Sequence, residues 1–328
     1  MNRRNSLALG LALIAACAPW PFAASAQAQQ YPARPIRVVI PFPPGGVMDT
    51  VGRMWVQRVS PSLGTMVVDN RPGAGGTIGA GEVVRAQPDG HTLLIGNTST
   101  QVLNPAVMSR PPYDPAKDFV TVDVVAISTT ALMVHPSLPA RNLKELIAYA
   151  RANPGKLSYG SAGAGTLTHL AAEMFLQRAG GLKILHVPYK GVGLATTDLV
   201  SGYVPLLMAN VTGHFISLRD AGKIRILAVN GASRLKALPD VPIANEILKD
   251  MVAQLFVGVF APAGTPRPIV EQVSQATRKA LSDPGFQKLL NDSGVEPVLD
   301  SSPEKAQRFV DQEHARLLPV IKASGFKQ

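Results

Sequence analysis

The chain has 328 residues, 46% of them hydrophobic and 16% charged, which excludes a disordered chain and leaves enough length for two domains. Its formal net charge is +10, from 32 lysines and arginines against 22 aspartates and glutamates. The basic residues are scattered singly rather than gathered in a stripe, so the sequence argues against a nucleic-acid partner and is compatible with attraction of small anions.

The N-terminus has the pattern of a secretory signal peptide. Arg3 and Arg4 precede an apolar run over residues 7–16, and residues 24–26 have the small-x-small form of a cleavage site. We therefore expect export, with residues 1–28 removed as a signal peptide.

The single cysteine, Cys17, allows a second interpretation of this segment. It follows Ile-Ala-Ala at residues 14–16, which resembles a lipoprotein processing box in which Cys17 would be acylated and would tether the protein. We favour ordinary cleavage after the small residues, which leaves a mature chain without cysteine and therefore without disulfides.

The mature chain opens with three predicted strands, each followed by a loop rich in glycine, proline or hydroxyl residues. The strands are predicted at residues 36–40, 66–69 and 92–96, with helices after the first two at about 49–60 and 78–86. The loops cover residues 41–46, 70–76 and 97–100. Alternating strands and helices favour a parallel sheet, whose ligands bind beyond the carboxyl ends of the strands, so these loops are candidate binding segments.

A second α/β unit is predicted in the middle of the chain, between two extended runs. The first run covers residues 122–134 with an interruption at 128–130, and the second covers 256–260. Between them the pattern predicts helices at 143–152 and 195–200, and strands at 184–188, 205–208 and 224–229. Two terminal helices follow, at 268–281 and 303–323. Two extended runs around a central unit indicate that the chain crosses between two lobes and back, which makes a hinge with a cleft.

The stretch over residues 158–175 is the strongest anion-binding candidate in the sequence. It is predicted to be a short strand, a glycine-rich loop and a helix whose start presents unpaired backbone N–H groups. The loop and the start of the helix carry three glycines and three hydroxyl residues: Gly160, Gly163, Gly165, Ser161, Thr166 and Thr168. The alternative is an ordinary strand-to-helix turn with Thr166 as the N-cap. We favour anion recognition, because a second glycine-rich loop at residues 42–46 is predicted to face the same cleft.

A set of collinear segments resembles the periplasmic solute-binding proteins of tripartite tricarboxylate transporters, the Bug or TctC family. The resemblance covers almost the whole mature chain. Its segments are residues 31–36 (Tyr-Pro-Ala-Arg-Pro-Ile), Pro41-Phe42 with Gly45-Gly46 and Asp49, residues 70–76 (Asn-Arg-Pro-Gly-Ala-Gly-Gly), residues 113–119 (Tyr-Asp-Pro-Ala-Lys-Asp-Phe), residues 154–157 (Pro-Gly-Lys-Leu), Gly165-Thr166 with His169-Leu170-Ala171, residues 186–191 (His-Val-Pro-Tyr-Lys-Gly), and residues 261–266 (Ala-Pro-Ala-Gly-Thr-Pro).

The resemblance implies the type II periplasmic-binding-protein fold, with two α/β lobes, a hinge of crossing strands and a central ligand cleft. We expect lobe 1 to comprise residues 29–130 and 253–328, and lobe 2 residues 131–252. The implied function is a periplasmic receptor, expected to be a monomer, that captures a small organic carboxylate and delivers it to membrane transporter subunits. No catalytic residue, cofactor or metal is implied.

The candidate ligand-binding residues come from the strand-end loops and from the family's carboxylate loops, which correspond to residues 161–166 and 42–46. They are Phe42, Pro43, Gly45, Gly46, Asp49, Thr98, Ser99, Ser161, Gly163, Gly165, Thr166, His169, Tyr189, Lys190 and Asn210. For His169 we favour a structural hydrogen bond over ligand contact, and for Asp49 a position at the start of a helix over an acid catalyst. Lys190 is either a charge in the cleft or a solvated lysine.

Four positions depart from the family pattern and bear on the ligand. Pro43 and Pro44 replace a pair of small residues in the first loop. Pro205 and Ala209 stand where an aspartate is common in the family. If the second aspartate receives a ligand ammonium, its absence argues against an amino-acid ligand.

The main alternative is a secreted α/β enzyme acting on a small anionic substrate. Tyr159 stands where a nucleophile elbow around Ser161 needs glycine, and the sequence contains no Gly-Lys-Ser or Gly-Lys-Thr of a P-loop. The six histidines include no His-x-x-x-His pair. These gaps favour a receptor over an enzyme.

Overall fold

The structure, a computed structural model, describes residues 31–323. The predicted signal peptide at 1–28 and Cys17 lie outside these residues. Within the described part of the chain, no helix is both long enough and apolar enough to cross a membrane.

The first part of the chain forms three parallel strands with helices between them. Strands β1 (Ile36–Ile40), β2 (Met66–Asn70) and β3 (Thr92–Asn97) lie side by side with β1 in the middle, and helices α1 (Val47–Leu63) and α2 (Thr77–Val84) follow β1 and β2. A 3₁₀ turn, Ala74–Gly76, precedes α2. The β-branched run of β1 is buried on both faces, as expected for the central strand of a parallel sheet.

After β3 the chain forms short helical segments and then a long strand. A π-helical turn, Ser99–Leu103, leads into α3 (Asn104–Val107), which is followed by α4 (Pro115–Asp118) and β4 (Phe119–Val134). The predicted loop after β3 is therefore wound into a helical turn. Such π-helical turns are rare and occur frequently at functional sites.

The middle of the chain is a second α/β unit. Its elements in order are α5 (Leu143–Ala152), β5 (Leu157–Ser161), α6 (Leu167–Arg178), β6 (Ile184–Pro188), α7 (Val192–Val200), β7 (Leu206–Asn210), α8 (Gly213–Asp220), β8 (Arg225–Val229) and a 3₁₀ turn, Ala244–Glu246. Strand β5 pairs in parallel with β6 and β7.

The chain then returns to the first unit. The returning elements are β9 (Gln254–Pro262), α9 (Arg267–Leu281), α10 (Pro284–Asp292), β10 (Val295–Pro297) and α11 (Pro303–Ala323). Within α1, Trp55 is fully buried and its Nε1–H donates to Thr277 Oγ1 on α9 at 3.0 Å. Trp55 is thus a core residue that ties α1 to α9.

Strand β4 is shared by the two lobes. Its residues 119–129 pair with β9 in the first lobe, whereas residues 130–134 pair with β7 in the second lobe, and residues 131–134 also with β8. The interruption predicted at 128–130 is wrong, because β4 runs through these residues. Their backbone groups form hydrogen bonds with neighbouring segments: Thr130 N donates to Ala253 O at 3.2 Å, and Val211 N donates to Thr129 O at 2.9 Å. The predicted two-lobe α/β fold with crossing strands is confirmed.

Two helices begin earlier than their sequence patterns predict. Helix α1 starts at Val47 rather than Asp49, and α7 starts at Val192 rather than residue 195. Their N-cap residues are Gly46 and Gly191, which have no side chain to accept a capping hydrogen bond. Because neither N-cap residue has a capping side chain, the local sequence does not show where either helix begins.

Candidate ligand-binding site

A cavity lies between the two lobes, with an empty volume of about 530 Å³ that includes its solvent-open mouth. Both lobes supply its walls. The lining residues are Phe42, Pro43, Pro44, Gly46, Val47, Met48, Asn97, Ser99 and Leu255 from the first lobe, and Ala162, Thr166, Leu167, Thr168, Gly191, Val192 and Asn210 from the second. A ligand bound in this cavity would therefore contact both lobes.

The N-termini of three helices converge on this cavity. The first residues of α1, α6 and α7 all line it: Val47 and Met48, Leu167 and Thr168, and Val192. The ends of α1 and α7 adjoin, because a Cβ on Gly46 would lie 3.5 Å from Val192 Cγ2. Each helix N-terminus favours a nearby negative charge by about 0.3–1 kcal/mol. The cavity is therefore suited to an anion.

The start of α6 is held by a chain of hydroxyl hydrogen bonds. Thr166 is the N-cap, and its Oγ1 accepts from His169 N at 3.5 Å while its hydroxyl donates to Gly163 O at 2.7 Å. Thr168 Oγ1 accepts from Ala162 N at 3.0 Å and lies 2.9 Å from Thr166 Oγ1. The N-cap interpretation of Thr166 is confirmed, and both threonines also line the cavity.

A hydrogen bond crosses the cleft at the same helix end. Ser99 Oγ of the first lobe accepts from Leu167 N, the first N–H group of α6, at 3.1 Å. Nearby, Pro43 packs against the second lobe, because a Cβ on Gly191 would come within 2.7 Å of Pro43 Cγ. The two lobes are thus in contact around the cavity.

Asn97 supplies a buried donor at the cavity wall. Its side chain is 1% exposed, and its Oδ1 accepts from Thr100 N at 3.0 Å, which fixes the orientation of the amide. Its Nδ2 is buried and has no hydrogen-bond partner among the described residues. A buried amide N–H₂ without a partner costs free energy, so Asn97 is a candidate hydrogen-bond donor to a ligand in the cavity that it lines.

The first glycine-rich loop is braced from behind by Asp49 and Asn70. Asp49 is buried, and its carboxylate accepts from Gly45 N at 3.1 Å, Arg53 Nε at 2.8 Å and Asn70 Nδ2 at 2.9 Å. Asn70 Nδ2 also donates to Phe42 O at 3.0 Å. Asp49 lies in the first turn of α1, as predicted, where it also positions the loop, and it is not in the cavity lining.

A stack of three rings supports the second loop. His169 and His186 are stacked with centroids 3.8 Å apart, and Tyr159 stacks on His186 at 4.8 Å. His186 Nε2 lies 2.8 Å from Ser161 Oγ. Burial lowers the pKa of His169 to about 4, and burial together with the neighbouring His169 lowers the pKa of His186 to about 4. Both rings are therefore neutral at neutral pH.

Of the fifteen candidate residues, six line the cavity: Phe42, Pro43, Gly46, Ser99, Thr166 and Asn210. The other nine do not: Gly45, Asp49, Thr98, Ser161, Gly163, Gly165, His169, Tyr189 and Lys190. Thr98 Oγ1 accepts from Phe256 N at 3.1 Å, and the Tyr189 hydroxyl donates to Asp198 at 2.5 Å. Lys190 is exposed. Ligand contact by any of the fifteen stays a prediction.

Sequence reasoning missed several lining residues for two reasons. Asn97 was included only in the loop over residues 97–100, although it ends β3 at the expected edge of the sheet. The apolar residues Val47, Met48 and Leu255 have the pattern of core positions, and the sequence contains no signal that separates a cavity wall from a core. These side chains line one cavity only because the two lobes come together around it.

The cavity wall carries no net charge. Among the residues whose side chains the structure describes, no Asp, Glu, Lys, Arg or His lines it. Within the same part of the chain, no group of three or more His, Cys, Asp or Glu residues could hold a metal ion. Recognition at this site must therefore come from backbone N–H groups, amides, hydroxyls and apolar contact.

Two α/β lobes that share a crossing strand and enclose a donor-lined cavity define the class of two-lobed solute-binding proteins. The family model TctC, described as "Tripartite tricarboxylate transporter family receptor", matches residues 51–326. The chain belongs to this family, and the resemblance seen in the sequence is confirmed.

Known proteins similar to this chain include one sequence relative and two solved structures. A UPF0065 protein from the tcbD-tcbE intergenic region of Pseudomonas sp. (strain P51) is 39% identical over 294 residues, covering 89% of this chain and 86% of the relative. Rpa4515 of R. palustris, solved with adipate, superposes with a TM-score of 0.87 at 35% identity, covering 90% of this chain and 99% of that one. MatC of Rhodopseudomonas palustris, with bound malate, superposes with a TM-score of 0.83 at 29% identity, covering 89% and 100%.

Proposed function

We propose that this protein is an extracytoplasmic receptor that captures a small organic carboxylate between its two lobes and delivers it to a tripartite tricarboxylate-type transporter. The observation that carries the proposal is the convergence of three helix N-termini and the free Asn97 amide on one uncharged cavity. The family membership and the adipate and malate bound by similar proteins support the same ligand class.

The chemistry of the cavity favours capture over catalysis. The hydroxyl groups of Thr166 and Thr168 are committed to hydrogen bonds with each other and with the loop, and among the described residues no general base or cysteine lines the cavity. Oriented dipoles with no titrating side chain can bind an oxyanion but offer no acid or base for bond cleavage. The enzyme alternative gains no support from the site.

Binding between the lobes couples ligand capture to lobe closure. A ligand that contacts both walls is bound better by the closed form and shifts the population toward it. We propose that the closed form is what the membrane subunits of the transporter recognise in the periplasm, after export directed by residues 1–28. We propose a lobe boundary in β4 near residues 129 and 130, and the change of pairing partners there supports it.

A ligand titration followed by thermal unfolding tests the proposal. Carboxylates of different shape, including malate, adipate and benzoate, are each added to the mature protein, with phosphate and an uncharged amide as controls. A ligand at about 100 times its dissociation constant stabilises the fold by about 2.7 kcal/mol, which is readily measured. Stabilisation by phosphate alone, or turnover of a carboxylate without stabilisation, would contradict the receptor function.

The variant Asn97→Asp tests the buried donor. Aspartate keeps the acceptor that holds Thr100 N but replaces the free N–H₂ group with a second carboxylate oxygen. We expect carboxylate affinity at pH 7 to fall more than about tenfold, because a hydrogen bond to a charged group contributes about 1.5–3 kcal/mol and like charges repel.

The matched control for this variant is Asn245→Asp. Asn245 is exposed and its Oδ1 likewise accepts a backbone N–H, from Asp250 at 2.7 Å. It adds the same charge outside the cavity lining and should leave binding unchanged. Equal affinities of the two variants would remove Asn97 from the site.

A further inference from the structure

A second groove lies beside the ligand cavity, between helices α7 and α8 of the second lobe. Its apolar lining comes from Val192 and Val200 of α7 and from Phe215 and Leu218 of α8. Gly45 of the first lobe completes the lining. Among the described residues only Val192 lines both this α7–α8 groove and the ligand cavity, so the two are separate sites that share one wall.

The shared wall makes the shape of the α7–α8 groove depend on the arrangement of the lobes. A Cβ on Gly46 would lie 3.5 Å from Val192 Cγ2, so the first lobe contacts the second beside the groove. If the lobes separate, Gly45 and Gly46 move away from Val192 and the groove loses its first-lobe wall. The complete groove therefore belongs to the closed arrangement, which a ligand that contacts both lobes favours.

The rim of the groove carries exposed apolar side chains. Leu194 is 70% exposed and Tyr203 is 81% exposed, which makes them the two most exposed large hydrophobic residues in the described part of the chain. Leu194 lies at helical spacing from Thr197 and Ser201, which line the groove, and Tyr203 follows Ser201 by two residues. Exposed apolar groups gathered around a groove mark an interaction site.

Two lysines near the groove carry positive charge that no carboxylate neutralises. Lys190 immediately precedes the N-cap residue of α7, and Lys223 N donates to Leu218 O at the end of α8 at 2.9 Å. Both lysines are exposed, and within residues 31–323 neither forms an ion pair.

The acidic residues of the two helices are already engaged. Asp198 of α7 accepts from the Tyr189 hydroxyl at 2.5 Å, and Asp220 of α8 lies 3.6 Å from Arg219 Nη1. The unpaired charges around the groove are therefore positive. Charge complementarity favours a partner that brings acidic residues to this face.

We propose that the α7–α8 groove is the docking surface for a membrane subunit of the transporter, and that it takes an acidic periplasmic segment with an apolar side chain at its tip. This inference rests on the proposed function and names the surface through which delivery occurs. Because Gly45 completes the groove only when the lobes are together, the subunit binds the closed receptor in preference to the open one.

Two other occupants fit these observations less well. In a symmetric dimer the same face of both copies forms the contact, which would bring the same unpaired lysines to both sides of it. A lipid surface supplies no side chain that fills a groove and has no need of its first-lobe wall.

Uptake by cells tests the docking surface. In the strain that carries this gene, the wild-type gene is replaced by Leu194→Glu. The measurement is uptake of the radiolabelled carboxylate that stabilises the mature protein most in the thermal titration. We expect uptake to fall about tenfold or more, because glutamate places a charge on the apolar rim and repels an acidic partner. The affinity of the purified variant for the same carboxylate should stay unchanged.

Two further variants control for the chemistry and for the position. Leu299 is 58% exposed and does not line the groove, so Leu299→Glu should leave uptake unchanged. Leu194→Lys removes the same apolar side chain but adds the opposite charge, and it should retain more uptake than Leu194→Glu. If purified Leu194→Glu loses as much ligand affinity as uptake, the substitution acts on the ligand site and the docking inference fails.

Photo-crosslinking in the same cells identifies the occupant. With p-benzoylphenylalanine in place of Leu194, we expect a ligand-dependent adduct to an acidic periplasmic peptide of an integral membrane protein, identified by mass spectrometry. The same group in place of Leu299 should give no such adduct. An adduct to a second copy of the receptor overturns the inference. Binding of the purified protein to phosphatidylglycerol vesicles that Leu194→Glu abolishes also overturns it.

Deletion of the gene separates this inference from the proposed function. If deletion leaves uptake of the carboxylate unchanged, delivery to a transporter fails as a function. If deletion abolishes uptake and the gene with Leu194→Glu restores it fully, the docking inference alone is overturned. Tyr203→Glu, at the other exposed position of the rim, replaces Leu194→Glu if circular dichroism shows that the latter does not fold.

Discussion

At the scale of single residues, several side chains in the site form hydrogen bonds that hold the backbone of the loops and helix starts in place. Thr166 is the clearest case, since its hydroxyl caps α6, donates to Gly163 O and still lines the cavity. Its sequence context predicted two roles, an N-cap and a carboxylate donor, and the structure confirms the first. A hydroxyl next to a helix start has the same sequence pattern in both roles, so only its neighbours separate them.

Thr166→Val should lower both stability and carboxylate affinity. Loss of an N-cap side chain costs about 1 kcal/mol, and the loop from Gly163 loses an anchor. Urea unfolding and ligand titration of the folded variant measure the two effects. Thr166→Ser keeps the hydroxyl and serves as the control, so equal stability of the Val and Ser variants would contradict the capping role.

The buried histidine pair predicts a pH dependence of stability. The pKa of His169 and of His186 is lowered to about 4 in the folded protein, whereas an unfolded histidine titrates near its ordinary value of about 6.5. Between these values the unfolded chain binds more protons, so stability is full above about pH 6.5 and falls as the pH approaches 4.

Urea unfolding at a series of pH values checks this dependence. His169→Phe keeps a ring in the stack and removes one titrating group, and it should flatten the decline between pH 6.5 and 4. His314→Gln removes an exposed histidine and is the control. An unchanged decline in His169→Phe would mean that other groups cause the acid sensitivity.

At the scale of elements, the loops before α6 and α7 contain glycines with positive φ angles, a backbone conformation that other residues rarely adopt. Gly163, in the loop between β5 and α6, has φ = 129°, and a Cβ there would come within 2.7 Å of Tyr189 O. Gly191, before α7, has φ = 119° and faces Pro43. Glycine at these positions allows the two loops of the second lobe to pack closely, which brings α6 and α7 to one cavity.

Gly163→Ala should destabilise the fold and weaken ligand binding. The added methyl group meets both the positive φ and the backbone of Tyr189, so we expect a loss of more than about 1 kcal/mol. Gly181→Ala is the matched control, because its φ is also positive, at 76°, but nothing lies within 4 Å of the added carbon. If thermal unfolding shows equal losses, backbone strain alone accounts for the effect.

At the scale of the whole molecule, the two lobes are connected by a shared strand and by a hydrogen bond across the cleft. Strand β4 joins the sheets covalently, whereas the hydrogen bond from Leu167 N to Ser99 Oγ joins the cavity walls directly. We expect the first connection to allow the lobes to move as units and the second to stabilise a closed arrangement.

Ser99→Ala should shift the protein toward the open form and weaken ligand binding. A hydrogen bond of this kind contributes about 0.5–1.5 kcal/mol, so we expect affinity to fall about 2- to 12-fold, with faster ligand release. Ser201→Ala, at the surface beyond α7, is the control. Tighter binding by Ser99→Ala would show instead that the hydroxyl competes with the ligand for the Leu167 N–H group.

The sequence by itself determined the order of the longer strands and helices, the two crossings and the family, because hydrophobic period and glycine-rich loops are local and the family segments are collinear. It did not predict the short elements α3, α4, α8, α10 and β10. It also placed six residues that line the cavity, through the rule that ligands bind at strand ends. The tertiary structure alone decided that Asn97 has a free donor, that Met48 and Leu255 face a common space, and that Ser161 and His169 lie behind the wall. The reason is physical: whether an apolar side chain lines a cavity or fills a core, and whether a polar group is satisfied, depends on atoms brought near it from distant parts of the chain.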